Sequence, residues 1–400
     1  MTVKIASRLD PIKPSITLAV TAKAGRMKAE GIDVISFGAG EPDFDTPDHI
    51  KAAVREGLDK GVGKYTDVAG LLALRKAVAT EMSRVHNTKI EPENVLVSAG
   101  AKHSLFNLFM AMIDPGDEVI IPAPYWVSYP DMVMLAGGTP VILPTKAEDD
   151  FAVTAAQVAA ACTPKTRAIV LNNPSNPTGS VYTRAQVEAL ARVVVEKDIL
   201  VISDDIYRSL VYAGAEYVSI AGISQALADR TVLIDGVSKT YAMTGWRIGY
   251  TIAPIEWTNA MVKLQSHSAT HPTSFVQYAC ACASERRAES MAAVSAMLAE
   301  YEKRKNWLIP ELRKISGFKC AMPEGAFYAF VDVRELLGDV FKTSADIGDY
   351  LLNEAHTVLT DGASFGAPGF LRLSYATSME NLENAVGRMK NIFESKIRTA

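Results

Sequence analysis

Between Thr46 and Pro254 the sequence alternates short apolar, β-branched runs with longer amphipathic stretches, and this alternation restricts the fold more than any other feature. The runs are Asn94–Ser98, Asp117–Ile121, Thr139–Leu143, Arg167–Asn172, Ile199–Ser203, Thr231–Asp235 and Arg247–Ile252. Helical patterns lie among them: Pro47–Lys60, Leu71–His86, Ala101–Met112, Thr154–Cys162 and Thr183–Lys197. Each run is short and almost continuously apolar, as a strand covered on both faces must be. The pattern predicts a doubly wound α/β domain on a mostly parallel, seven-stranded sheet.

After Pro254 the texture changes. Ile255 to Ser316 reads as almost unbroken helix. Strands Phe318–Ala321 and Ala326–Val331 follow, then a helix from Ser344, a strand Phe370–Ser374 and a last helix from Ser378. This predicts a smaller α+β domain. A chain of 400 residues is also too long for one hydrophobic core, since single cores stop growing at roughly 250–300 residues. The expected division is 46–290 for the large domain and 1–45 plus 291–400 for the small one.

Composition narrows the function classes. Hydrophobic residues are 48% and charged residues 22%, an ordinary globular balance that excludes a largely disordered chain. Lys+Arg 41 against Asp+Glu 45 gives a net charge of −4, and no basic block marks a nucleic-acid partner. No apolar stretch approaches the roughly 20 residues that span a bilayer, and Met1–Asp10 lacks the apolar segment of a signal peptide. A cytoplasmic protein without a membrane partner is expected. Cys162, Cys280, Cys282 and Cys320 are too few for a disulfide framework. Cys280 and Cys282, with His267 and His271 nearby, have C-x-C rather than C-x-x-C spacing in an Ala-rich helical segment, so no metal site is expected.

Open α/β sheets bind ligands in the crevice beyond the carboxyl ends of their strands. The residues there are Ser98-Ala-Gly-Ala-Lys102, Pro122-Ala-Pro-Tyr-Trp126, Asn172-Asn-Pro-Ser-Asn-Pro-Thr-Gly179, Asp204-Asp-Ile-Tyr207 and Gly236-Val-Ser-Lys239. Gly100 to Lys102 opens a helix, whose free N–H groups can hold a phosphate; a simple tight turn accounts for the glycine equally well. Neither a P-loop nor a G-x-G-x-x-G fingerprint is present, which argues against a nicotinamide enzyme. Asp204 ends an apolar strand, where a carboxylate is costly without a cation or several donors. Asp205 fits a structural turn role, Asn176 a turn-forming one, and Trp126 a place in the core. Lys239 has no packing role at a strand end facing the crevice. A partly buried lysine loses its proton readily and can bond an aldehyde. Arg247 adds a fixed positive charge suited to a phosphate.

These parts meet the needs of pyridoxal 5′-phosphate: a lysine for its aldehyde and an acid for its ring nitrogen, a phosphate cradle, an aromatic stacking face, and donors to its phenolic oxygen. Lys239, Asp204, Gly100–Lys102 with Arg247, Trp126, and Asn176 with Tyr207 supply them in turn.

The sequence resembles the class I pyridoxal-phosphate aminotransferases of fold type I, in their bacterial aspartate/prephenate branch. The likeness runs through Lys13-Pro-Ser-Ile-Thr17, Gly40-Glu-Pro-Asp-Phe44, Lys64-Tyr-Thr66, Pro124-Tyr-Trp-Val-Ser-Tyr-Pro130, Asn176-Pro-Thr-Gly179 and Ser203-Asp-Asp-Ile-Tyr207. It continues through Ser238-Lys-Thr-Tyr-Ala-Met-Thr-Gly-Trp-Arg-Ile-Gly249, Gly325-Ala-Phe-Tyr328 and Leu371-Arg-Leu-Ser-Tyr-Ala376. It implies that Lys239 bonds the cofactor and shuttles the proton, with Asp204 on the ring nitrogen and Tyr207 and Asn176 on the phenolic oxygen. Arg247 with the Gly100, Ala101 and Lys102 amides would take the phosphate, and Arg372 the substrate α-carboxylate. Gly40 would let substrate approach the backbone, Trp126 would stack on the ring, and Lys102 and Thr17 would meet a distal carboxylate. It further implies a homodimer in which Tyr65 reaches the partner's cofactor phosphate. Where many members carry Ser, this chain has Gly236, and no arginine stands out for a distal carboxylate. The expected reaction is amino transfer between aspartate and 2-oxoglutarate, with prephenate or aromatic substrates as the alternative. A pyridoxal-dependent lyase is a third reading and a non-enzymatic regulator a fourth.

Overall fold

The computed structural model describes residues 4–12 and 16–397, with the side chains of 16–21 and 395–397 outside the description. Its centre is a seven-stranded sheet. The strands are β1 (Val95–Ser98), β2 (Glu118–Ala123), β3 (Thr139–Pro144), β4 (Thr166–Asn172), β5 (Leu200–Asp204), β6 (Thr231–Gly236) and β7 (Gly249–Ile252). All seven predicted strands form, in the order β1-β7-β6-β5-β4-β2-β3. β7 runs antiparallel to both its neighbours, and the other pairings are parallel. Parallel register aligns the strand ends: Asn172 lies opposite Asp204, and Asp204 opposite Ile234.

The strands are apolar on both sides because helices cover both faces. Leu105, Leu108, Phe109 and Met261 pack on one side against Leu96, Val119 and Ile202. Val187, Leu190 and Val194 pack on the other against Ile120, Ile169 and Val201. Thr183 caps the helix Arg184–Glu196 in a reciprocal box with Gln186, which satisfies N–H groups the first turn leaves unpaired.

The stretch after Pro254 differs from expectation. It forms three helices, Ile255–Ser266, Ser274–Glu285 and Arg287–Leu312, rather than one. Thr270 takes a φ of 59°, and Pro272 cannot donate a helical hydrogen bond, so the chain must break there. Beyond, β8 (Tyr328–Asp332) and β9 (Phe370–Ser374) pair antiparallel in a four-stranded sheet. Ile35–Ser36 pairs with Thr357–Val358. One core joins Ile35 and Phe37 to residues from Met297 to Phe393, and Ile206 to Tyr212 enter it from the large sheet.

Candidate active site

One cleft of about 820 Å³ lies at the carboxyl ends of the central strands. Gly40, Ala101, Lys102, Trp126, Asn176, Asp204, Tyr207, Lys239, Arg247 and Arg372 all line it. Aligned parallel strands deliver the loops with Trp126, Asn176, Asp204, Tyr207 and Lys239 to one edge, while Gly40 and, on β9, Arg372 join them from outside the large sheet.

Lys239 follows β6 in the single turn Val237–Thr240. Its Nζ donates to the Gly40 carbonyl, and burial draws its pKa down to about 8; Glu41 opposes that shift, while Arg372 and Arg247 reinforce it. A substantial neutral fraction therefore exists near neutral pH, as a nucleophilic amine requires. Asp204 ends β5 and is buried. Its Oδ2 accepts from the Tyr129 hydroxyl at 2.5 Å and its Oδ1 from the Ile206 amide at 3.3 Å. Desolvation raises its pKa to about 6 against the pull of those donors. Asp205 turns away: its Oδ1 accepts from Ser203 Oγ at 2.8 Å, and burial pushes its carboxyl to about 8. Among the lining residues of the cleft only Asp204 of this pair occurs.

At the other edge Gly100 takes a φ of 87° just ahead of the helix Ala101–Met112. A Cβ on it would overlap the Arg247 guanidinium, and one on Gly249 would overlap the Ala101 amide. Two glycines thus let a helix N-terminus, a guanidinium and a strand come together. Arg247, itself at a φ of 59°, is fixed by bonds to the Thr244 and Ala99 carbonyls at 2.8 and 3.2 Å. Helix end and guanidinium form an anion cradle. Gly236 has no room for a side chain, since a Cβ would stand 2.9 Å from Gly249 Cα and the Ile248 carbonyl. The backbone approach there explains why no serine occupies that position.

Arg372, on β9, is buried. It donates to the Gly38 carbonyl at 2.6 Å and to Asn176 Oδ1 at 3.0 Å, and lies against the Tyr328 and Phe365 rings at 4.7 and 4.9 Å. Its Nε has no partner among the described residues, an orphaned charged donor that a carboxylate would satisfy. Because Asn176 Oδ1 is occupied, its amide NH₂ is left to donate. The Tyr207 hydroxyl pairs with that of Tyr328 at 2.8 Å. Trp126 meets Tyr129 edge-on at 5.3 Å, and Lys102 Nζ stands 4.9 Å over the Trp126 ring. Burial lowers the pKa of Lys102, with Arg247 adding to the effect.

Not every expected residue joins the cleft. Tyr65 is 89% exposed, lies edge-on to His271 and is absent from the lining. Thr17 falls in the helix Ile16–Ala29, its side chain outside the described residues. Gly40 has a local reason to be glycine: a Cβ would stand 2.6 Å from the Tyr328 hydroxyl. Tyr129 and Tyr328 are site residues that sequence reasoning missed. Tyr129 lies three positions beyond Trp126, the helical spacing that puts two side chains on one face.

Among the described residues no group of His, Cys, Asp and Glu is arranged to hold a metal, and no helix is long and apolar enough to cross a membrane. The model of the family described as "Aminotransferase class I and II" matches residues 32–389. An aspartate aminotransferase of Bacillus sp. (strain YM-2) is 45% identical, covering 96% of this chain and 98% of its own. An aspartate/prephenate aminotransferase of Nitrosomonas europaea is also 45% identical, covering 97% and 99%. The solved structure of the Thermus thermophilus aspartate aminotransferase with maleate superposes at a TM-score of 0.93 with 41% identity, over 98% of this chain and all of that one. With the family model spanning most of its length, the chain belongs to the class I and II aminotransferases.

Proposed function

We propose that the cleft binds pyridoxal 5′-phosphate and moves an amino group between aspartate and 2-oxoglutarate by a ping-pong mechanism. The observation that carries this reading is Lys239, an amine with a pKa near 8 in the same cleft as a buried carboxylate and an anion cradle. The donor set fits the group: Arg247 and the Ala101 helix end for its phosphate, Asp204 for its ring nitrogen, and the Asn176 amide with Tyr207 for its phenolic oxygen. Trp126 supplies a stacking wall. When bound, pyridoxal phosphate supplies an aldehyde and an electron-withdrawing ring that stabilises charge at the substrate α-carbon. Lys239 would be the residue that holds the group through its aldehyde, and its amine is placed to take up and return a proton at the substrate α-carbon. Asp204, a carboxylate in a water-poor setting, holds a proton on a facing nitrogen. Arg372 fixes the substrate α-carboxylate through its free Nε.

Lys102, on the cleft wall against Trp126, supports recognition of a distal carboxylate, a task this reading also gives to Thr17. The Thermus neighbour was solved with maleate, itself a dicarboxylate. Prephenate or aromatic substrates are a second reading, favoured by the Nitrosomonas relative's name and by the apolar wall of Leu105, Tyr125, Trp126 and Met134. We also propose a homodimer in which Tyr65 serves the partner's site; its exposure outside its own cleft supports this. Residues 46–290 and 1–45 plus 291–400 are proposed as the two domains, supported by the core that joins Ile35 and Phe37 to the C-terminal elements.

The test is spectroscopic. The purified protein should show a visible cofactor band that shifts when aspartate or glutamate is added. Tyrosine, arogenate and cysteine sulfinate test the alternative amino donors. No band, or no change with any of these, would refute the reading.

A further inference from the structure

We propose that Tyr129 is a positioning residue whose buried hydroxyl fixes the orientation of the Asp204 carboxylate toward the cleft. This rests on the cofactor reading above. The hydroxyl donates to Asp204 Oδ2 at 2.5 Å, the Ile206 amide holds Oδ1 at 3.3 Å, and Tyr129 is 1% exposed. A carboxylate offers about four lone-pair sites. With one filled on each oxygen its plane is set, and the sites left are those turned to the cleft. Tyr129 is itself anchored from the cleft wall, because its amide bonds the Trp126 carbonyl at 3.1 Å and its ring meets the Trp126 ring edge-on. One turn of chain therefore presents both a stacking face and the group that aims the acid.

The donor is suited to this task by what it cannot do. Burial and the neighbouring Asp204 hold the Tyr129 hydroxyl well above its usual pKa, so it donates its proton without giving it up. The groups that face Asp204 are Lys239, which attracts, Asp235 and Asp205, which repel, and Tyr207. Among the described residues, Tyr129 is the only one whose side chain donates to the Asp204 carboxylate.

Tyr129→Phe removes one oxygen atom and keeps the ring packing. Two measurements decide the matter. In enzyme loaded with cofactor labelled with ¹⁵N in the ring, the nitrogen resonance should move toward the unprotonated position. In the same enzyme kcat should fall about 10- to 100-fold, the usual worth of a hydrogen bond to a charged group, with KM within about twofold. Separately, in the full chain without added cofactor, the loss of thermal stability should be largest near pH 8. It should shrink toward pH 5, where Asp204 is protonated in both proteins, and its dependence on pH should vanish in an Asp204→Asn background, whose amide oxygen still accepts but does not titrate. A wild-type-like resonance and kcat, or a stability loss equal at every pH, would reduce Tyr129 to packing and overturn the proposal. If wild type takes up no pyridoxal phosphate, the cofactor reading falls, and the proposal, which rests on it, is overturned too. The pH dependence then still reports whether Tyr129 holds Asp204, which distinguishes that failure from a failure of the contact itself.

Discussion

Lys239→Met should make the cofactor-free protein more stable at neutral pH while removing the residue on which the proposed chemistry depends. Burial lowers the Lys239 pKa from 10.5 to about 8. Between those values the unfolded chain binds more protons at this side chain than the folded one, so wild-type stability rises with pH across that window. Below about pH 8 the whole penalty of burying the ammonium is present, and by about pH 10.5 it has gone. A gap of about 2.5 pH units, at about 1.36 kcal/mol each, amounts to about 3 kcal/mol. Methionine keeps the length and apolar stem but abandons the hydrogen bond to Gly40, whose carbonyl then costs about 1–2 kcal/mol unpaired. The net expectation is a gain of about 1–2 kcal/mol at pH 7 that declines through pH 9 and turns into a deficit near pH 10. Urea unfolding of both proteins at several pH values, after removal of cofactor with hydroxylamine, measures it. A variant no more stable than wild type at pH 7, or a difference flat from pH 7 to pH 10, would refute the argument that desolvation sets the reactivity of Lys239.

Asp204→Asn should fold normally and lose about 10²- to 10⁴-fold in turnover; turnover within about threefold of wild type would return Asp204 to a structural role. Lys102→Ala should raise KM for aspartate far more than for tyrosine, since leaving a buried substrate charge unpaired costs about 2–5 kcal/mol; equal losses would mark Lys102 as part of the phosphate cradle. Lys239→Ala and Tyr65→Ala, each weak alone, should recover up to half of wild-type activity per dimer when unfolded and refolded together, because a symmetric interface leaves one intact site. Activity no higher than that of the parents would assign Tyr65 to its own chain.

The strands were legible because burial on both faces writes a continuous apolar run, and the helix Ala101–Met112 appears with the predicted bounds. Strand order was not legible. Nothing local in Arg247–Ile252 tells that it inserts antiparallel between β1 and β6, since that choice lies in contacts with residues far away in the chain. The polar strand ends pointed to the cleft for a sound reason: Asp204 and Lys239 are too costly there without a purpose. At Gly40 the sequence did not show a second constraint: besides the substrate approach expected there, a Cβ would stand 2.6 Å from the Tyr328 hydroxyl. Tyr129 was given no role of its own, because nothing local in residues 124–130 shows what its hydroxyl meets. Its hydroxyl matters only once β5 brings Asp204 alongside.

The segment before Phe44 places two carbonyl oxygens, those of Gly38 and Gly40, on the Arg372 guanidinium and the Lys239 amine. On Arg372 only Nε is left without a partner among the described residues, so an incoming molecule that also takes a terminal nitrogen must displace an oxygen already satisfied. A neutral amide or alcohol offers the guanidinium little more than the carbonyl it replaces, so its net gain is close to zero. A full carboxylate forms shorter, charge-assisted bonds roughly twice as strong. In the proposed reading a carboxylate, which can take Nε and a terminal nitrogen together, would be favoured over an uncharged analogue without any steric contact, by competition with the backbone rather than by shape.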